Sequence, residues 1–171
     1  KRAVRETALR HKMYASFMAK PMEKEPGSAM HIHQSVISTK TGENIFSNTD
    51  GDASSLFYAY IGGLQRFLPA SLSLLAPNVN SYRRLIRYHA APINVQWGLD
   101  NRTVGLRVPD SGRESRRVEN RVPGADANPY LAIAASLACG LLGMQQKLDP
   151  SAPVTASAYD MPHELLRSLE Q

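Results

Sequence analysis

The chain has 171 residues, a formal net charge of +5 and one cysteine, Cys139, so it can bury a real core as one domain but cannot form an internal disulfide, a pattern typical of a reducing, cytoplasmic compartment. The longest apolar run, Tyr130 to Met144, falls short of the roughly 18 residues that a membrane span wants. A buried helix is expected there, with no membrane partner, and no secretion signal is recognisable.

Residues 1–12 carry Val4, Ala8 and Leu9 at helical spacing among charges, without a preceding cap. A helix is expected, starting inside something longer. Residues 14–19 read as a short strand stopped by Lys20-Pro21, and Pro26-Gly27 turns the chain into a second one. If that second stretch is extended, His31, His33 and Ser35 share one face with Ala29, while Met30, Ile32 and Val36 point the other way. The polar turn at 40–44 suggests a hairpin between 28–38 and 44–46.

A helix follows from Ser54 or Ser55 through Leu56, Tyr60, Leu64 and Phe67. It breaks at Pro69, restarts over 70–75 and ends by Pro77. Residues 77–82 are a loop into Arg83-Arg84. Residues 94–99 and 103–108 read as strands joined by an Asp100-Asn101 turn, with Val104, Leu106 and Val108 on one face and Thr103 and Arg107 on the other. In the strand over 116–122, Arg117, Glu119 and Arg121 share a face. Asn128 as cap with Pro129 at the first helical position opens a helix to about Lys147. A loop over 150–158 and a short helix over 162–169 close the chain. The class is α+β, an antiparallel sheet flanked by helices.

Three groups carry chemistry. Imidazoles bind many divalent cations, yet a His-x-His strand is more often half-exposed polar surface or a satisfied pair than a ligand set. Arg117, Glu119 and Arg121 are either an exposed charged strand or a built site, because two like charges on one face need an anion between them. Arg84, Arg102 and Arg107 suit bidentate binding of carboxylates or phosphates, and an arginine facing a transferring phosphoryl group is worth roughly 10³–10⁵ in rate. Arg83, Arg87 and Arg113 fit surface ion pairs better.

Six ordered segments decide among these readings: FMAKP at 17–21, GSAMHIHQS at 27–35, NSYRRL at 80–85, DNRTVGLRVP at 100–109, RRVENR at 116–121 and ADANPYLAIAASLACG at 125–140. Together they resemble the glutamine synthetase family. The resemblance implies that 1–171 is the C-terminal portion of that family's catalytic domain, with its sheet part of a half-barrel and with the N-terminal domain and the first half of the catalytic domain absent. It implies an ATP-dependent ligase joining the γ-carboxylate of glutamate to an amine through γ-glutamyl phosphate. By matching position, His31 and Glu119 would be ligands of Mg2+ or Mn2+. His33, Ser35, Arg102, Arg107 and Arg117 would contact ATP, with Arg102 and Arg107 also holding the acyl phosphate as catalytic residues. Gly27, Arg84 and Arg121 would bind glutamate. The family assembles as homo-oligomeric rings with shared sites, so this chain alone is expected to be inactive.

Departures from the family pattern narrow the expectation. Ala90 stands where ammonia-using members have a glutamate that closes over the intermediate, and His89 is one residue off that register. Losing the carboxylate favours a bulkier amine, and the wording of PGSAMHIHQSV, APNVNSYRRL and PGADANPYLAIAASLACG is similar to the γ-glutamylpolyamine synthetase branch, using putrescine or a related amine. Pro26 replaces a family asparagine, Glu114 stands near a lysine position, and one residue is missing between Arg107 and Arg117. Tyr159 resembles a tyrosine that some bacterial members adenylylate, and a structural tyrosine is the default. The alternatives are an ammonia-using glutamine synthetase, a non-catalytic scaffold, and a nucleic-acid-binding module. The last is disfavoured because it lacks aromatic platforms among the basic residues.

Overall fold

The computed structural model describes residues 1–161; the helix expected over 162–169 lies outside the described residues. Helix α1 spans Arg2–Arg10, near the expected bounds. Residues 14–19 form no strand. The backbone of Lys20 is instead gripped by one side chain, Asn80, whose Oδ1 accepts from Lys20 N at 2.9 Å and whose Nδ2 donates to Lys20 O at 2.8 Å. A side-chain amide can satisfy one peptide unit but cannot extend a ladder.

The sheet is built from four three-residue strands, β1 Ile32–Gln34, β2 Trp97–Leu99, β3 Leu106–Val108 and β4 Val118–Asn120, in the order β1-β4-β3-β2. It is mixed, which corrects the antiparallel expectation: β1–β4 and β3–β4 are antiparallel, but β2 and β3 run parallel. The connection from 100 to 105 is not a hairpin. Asp100 turns at φ 48°, and Asn101 Nδ2 donates to Val154 O and Ala156 O at 3.0 and 2.8 Å. The chain is pulled out onto the 154–156 segment and returns to start β3 beside the start of β2. The expected hairpin survives as a short ladder, with an Ile37–Asn44 bridge turned at Gly42.

Helix α2 spans Ser55–Phe67, capped by Ser54, whose side chain accepts from Phe57 N. A 3₁₀ turn at Pro69–Ser71 and a one-turn α3, Leu72–Leu75, follow as expected. Residues Val79–Tyr82 form a single helical turn, α4, within the expected loop; Asn78 N donates to Ser81 Oγ at 3.1 Å and Ser81 Oγ to Asp126 Oδ2 at 2.6 Å, which winds it. Helix α5 covers Pro129–Gln146, with Asn128 accepting from Tyr130 N and Leu131 N and Lys147 closing it in the left-handed conformation.

The core lies between the apolar face of the sheet and α2, where Phe46, Phe57, Tyr60, Ile61, Leu64, Leu106, Val118 and Val122 are almost fully buried. Each large apolar side chain contributes about 1.5–3 kcal/mol. Helices α2 and α5 touch backbone to backbone, since a Cβ on Gly143 would lie 2.3 Å from Ala59 O and 2.5 Å from Gly63 Cα. The expectation of a wholly buried α5 is therefore corrected. It buries its small-residue side, Ala132, Ser136, Cys139, Gly140 and Gly143, and leaves Tyr130, Ile133, Leu137 and Leu141 exposed. Among the described residues, no helix is long and apolar enough to cross a membrane.

Candidate active site

The sheet register lays the site out. His33 on β1 faces Glu119 on β4, which faces Arg107 on β3, and the period-two alternation puts Ile32, Gln34 and Val118 into the core. Glu119 is 3 % exposed and sits at the centre of the polar row. Its Oε1 lies 3.0 Å from His31 Nδ1 and accepts from Arg121 Nη1 at 3.0 Å; its Oε2 accepts from Arg107 Nη1 at 2.9 Å. Burial alone would push this carboxyl up. The hydrogen bonds from His31 and Arg107 and the charge of Arg121 outweigh it and hold the group down to about 2.

Around this carboxylate opens a cleft of about 650 Å³. His31, Arg107, Glu119 and Arg121 line it from the sheet, Gly27 and Arg84 from one side, and Arg102 from the β2–β3 connection. Seven of the ten expected site residues therefore share one cavity. Gly27 is required there: a Cβ would lie 2.4 Å from Arg84 Cγ and 2.5 Å from Ala19 O. Arg84, carried inward just after α4, is 2 % exposed and donates through Nη2 to Val122 O and, at 3.4 Å, to Arg121 O. Burial pulls its guanidinium down to about 10, against the attraction of Asp126 and with the repulsion of Arg121.

The remaining three residues do not line the cleft. His33 Nε2 lies 3.8 Å from Glu119 Oε1, and Arg117 Nε is 3.3 Å from His33 Nδ1, so they extend the polar row past its rim. Burial lowers the His33 pKa; Glu119 opposes this, and Arg117 adds to it. Ser35 is exposed beyond the end of β1. Arg113 pairs with Glu43 at 2.7 Å on the surface, as expected.

The most informative polar atoms are three without a partner. Nε of Arg84, of Arg107 and of Arg121 are buried and make no hydrogen bond. Buried donors are nearly always satisfied, and here two guanidinium groups, Arg107 and Arg121, share one carboxylate while Arg84 is bonded to backbone carbonyls beside them. With Arg84, Arg102, Arg107 and Arg121 along its lining, the cleft has the donors to hold an anion. His31 and Glu119 fit one hard or borderline cation by donor type, an imidazole beside a carboxylate held ionised. Among the described residues, no group of three or more His, Cys, Asp or Glu side chains is arranged to hold a metal ion, so two ligands are what this part of the chain offers.

Sequence reasoning passed over the roles of Lys20 and Asp100, while His89 and Ala90 were read there as departures from the family pattern. Lys20 is buried, and its Nζ donates to Glu25 O at 2.5 Å and lies 3.3 Å from His89 Nδ1. His89 and Ala90 both line the cleft. Asp100 pairs with Arg107 through Nη2, the terminal nitrogen that Glu119 leaves free. A buried lysine inside the FMAKP segment was the one readable signal.

A family model described as "Glutamine synthetase, catalytic domain" matches residues 1–171. The chain belongs to the glutamine synthetase family. Within it, the chain is 49% identical over 148 residues to the γ-glutamylputrescine synthetase PuuA of Escherichia coli K12, covering 86% of this chain and 31% of that protein. It is 42% identical over 171 residues to a glutamate–isopropylamine ligase of a Pseudomonas species, covering 99% and 37%. A glutamine synthetase of Pyrococcus woesei is 40% identical over 159 residues, covering 93% and 36%. A ligand-free structure of GmaS superposes with a TM-score of 0.80 at 38% identity, over 91% of this chain and 35% of that one. The chain thus spans about a third of the length of these glutamine synthetase relatives.

Proposed function

We propose that this chain is the C-terminal part of the catalytic domain of an ATP-dependent ligase that joins the γ-carboxylate of glutamate to an amine. The observation that carries this reading is the set of three partnerless guanidinium Nε atoms, Arg84, Arg107 and Arg121, around one cleft beside His31 and Glu119. A carboxylate is a poor electrophile because its leaving group would be oxide. Phosphorylation by ATP turns it into an acyl phosphate that an amine can attack, which requires two anions to meet. Guanidinium groups fixed in place lower that barrier at little reorganisation cost. In this reading Arg84 and Arg121, with the close backbone at Gly27, hold glutamate. Arg102 and Arg107 hold the transferring phosphoryl group, while His33, Ser35 and Arg117 form the nucleotide side along the rim.

His31 and Glu119 would hold a Mg2+ or Mn2+ ion, which when bound draws negative charge from the phosphates. Their further ligands and the other wall of the cleft come, in this reading, from chain outside these residues and from neighbouring subunits of a cytoplasmic ring. The exposed apolar flank of α5 supports it, because an all-round apolar helix is suited to a larger body. The amine is a polyamine such as putrescine: the relatives named above include a γ-glutamylputrescine synthetase and a glutamate–isopropylamine ligase, and small Ala90 and Ala91 leave room in the cleft.

The test is ADP release by the full-length protein in Mg2+. Release requiring both glutamate and putrescine, with ammonia a poor replacement, is expected. Efficient turnover with ammonia and none with putrescine or ethanolamine would point to an ordinary glutamine synthetase. No glutamate-dependent ADP release with any amine would overturn the ligase reading.

A further inference from the structure

The loop over 87–91 has a backbone that its own residues disfavour. Tyr88 at φ 62° and Ala90 at φ 58° both stand in the left-handed region. Non-glycine residues persist there where their surroundings impose it. The imposing element is the 159–160 segment. Arg87 Nη1 donates to Tyr159 O at 3.1 Å, the Tyr88 hydroxyl donates to Asp160 Oδ1 at 2.8 Å, and the Tyr88 and Tyr159 rings lie 5.3 Å apart. The Tyr159 hydroxyl donates to Ala91 O at 2.8 Å.

These contacts are unequal. Tyr88 is exposed and its bond to Asp160 faces water, so that stay is weak. Tyr159 is 7 % exposed and packs on Ile93 and Met161. Its bond to Ala91 satisfies a buried carbonyl, which makes it the bolt. The loop it fastens brings His89, Ala90 and Ala91 to the cleft. In the ligase reading the arginines of the same cleft take the anions, which leaves the small side chains of Ala90 and Ala91 for the amine.

We infer that Tyr159 is the positioning residue of this wall: through its hydroxyl on Ala91 it holds the 88–91 backbone in place and thereby sets the size of amine the cleft admits. The clamp stands on geometry alone; its effect on amine choice rests on the ligase reading. Tyr159→Phe keeps the ring against Ile93 and Tyr88 and removes the bolt alone. In the full-length protein, hydrogen exchange at the amides of 88–91 should quicken about tenfold while the amides of α2 and α5 hold their rates. Exchange unchanged at 88–91, or quickened equally everywhere, overturns the clamp. In turnover, the ratio of kcat/KM for putrescine to that for methylamine should move about fivefold, with KM for ATP and glutamate nearly constant. An unmoved ratio, or all three KM values rising together, overturns the selectivity role. Tyr88→Phe, cutting the weaker stay, should move exchange and ratio in the same direction by less, and if Tyr159→Phe does not fold it carries the test under the same criteria. A wild-type protein that turns over no amine refutes the ligase reading and leaves the clamp to be judged by exchange.

Discussion

Replacing Glu119 with glutamine keeps the shape of the side chain and removes its charge. Three groups depend on that charge: Arg107 and Arg121, bonded at 2.9 and 3.0 Å, and His31 at 3.0 Å. Removing one partner of a buried pair costs about 3–5 kcal/mol, because the other charge is left stranded. Arg107 keeps Asp100 as a partner and is the more exposed of the two arginines, so its loss is softened. Arg121, whose side chain is 8 % exposed, bears most of the cost, while the glutamine carbonyl still accepts one bond. The expected loss for Glu119→Gln is therefore about 3 kcal/mol, at the low end of that range. Urea unfolding of the chain followed by far-ultraviolet circular dichroism, with chelator present, measures it. A loss below about 0.5 kcal/mol, within the scatter of ordinary surface substitutions, would refute the picture of one carboxylate holding the arginine cluster together.

Acid gives an independent reading of the same group. The Glu119 carboxyl is held at about 2 against an ordinary value of 4.5, so its contribution is fully present above pH 4.5 and is lost as pH falls toward 2. The lowering corresponds to about 3 kcal/mol, and unfolding free energies measured across that window should decline in the wild type more steeply than in Glu119→Gln. Gly143→Ala should destabilise by at least about 2 kcal/mol, although alanine is the better helix former by about 1 kcal/mol. Its Cβ would meet the backbone of Ala59 and Gly63, which cannot yield without separating α2 from α5; a midpoint in urea equal to or above the wild type would contradict this.

The site was legible where a local period carries it. Extended backbone alone puts His31 and His33 on one face and Arg117, Glu119 and Arg121 on another, and the antiparallel register then sets His33 opposite Glu119. Family motifs supplied the rest of the arginine set, and the cleft collects Arg84, Arg102, Arg107 and Arg121 from three separate segments. What was not legible depends on distant partners. Asp100-Asn101 reads as a hairpin turn, but carbonyls of Val154 and Ala156, some fifty positions away, draw it aside and make β2 and β3 parallel. Residues 14–19 have strand composition but find no ladder: Ala19 O accepts one bond from Ser28 N, and the next residue, Lys20, is held by the Asn80 side chain. In α5 the apolar pattern runs all round the helix and so cannot name a buried face; Gly140 and Gly143, where α2 comes closest, could have. Nothing local in Tyr88 or Ala90 announces a left-handed backbone, because the clamp at 159–160 imposes it.

In the proposed reading this cleft passes a phosphoryl group from ATP to the γ-carboxylate of glutamate before the amine attacks. Glutamate labelled with ¹⁸O in its γ-carboxylate tests it directly in the full-length protein. One labelled oxygen is expected in the inorganic phosphate released with each amide formed, with release lost in Arg107→Ala. Amide formed with all label retained in the γ-glutamyl product or water, and none in phosphate, would contradict it.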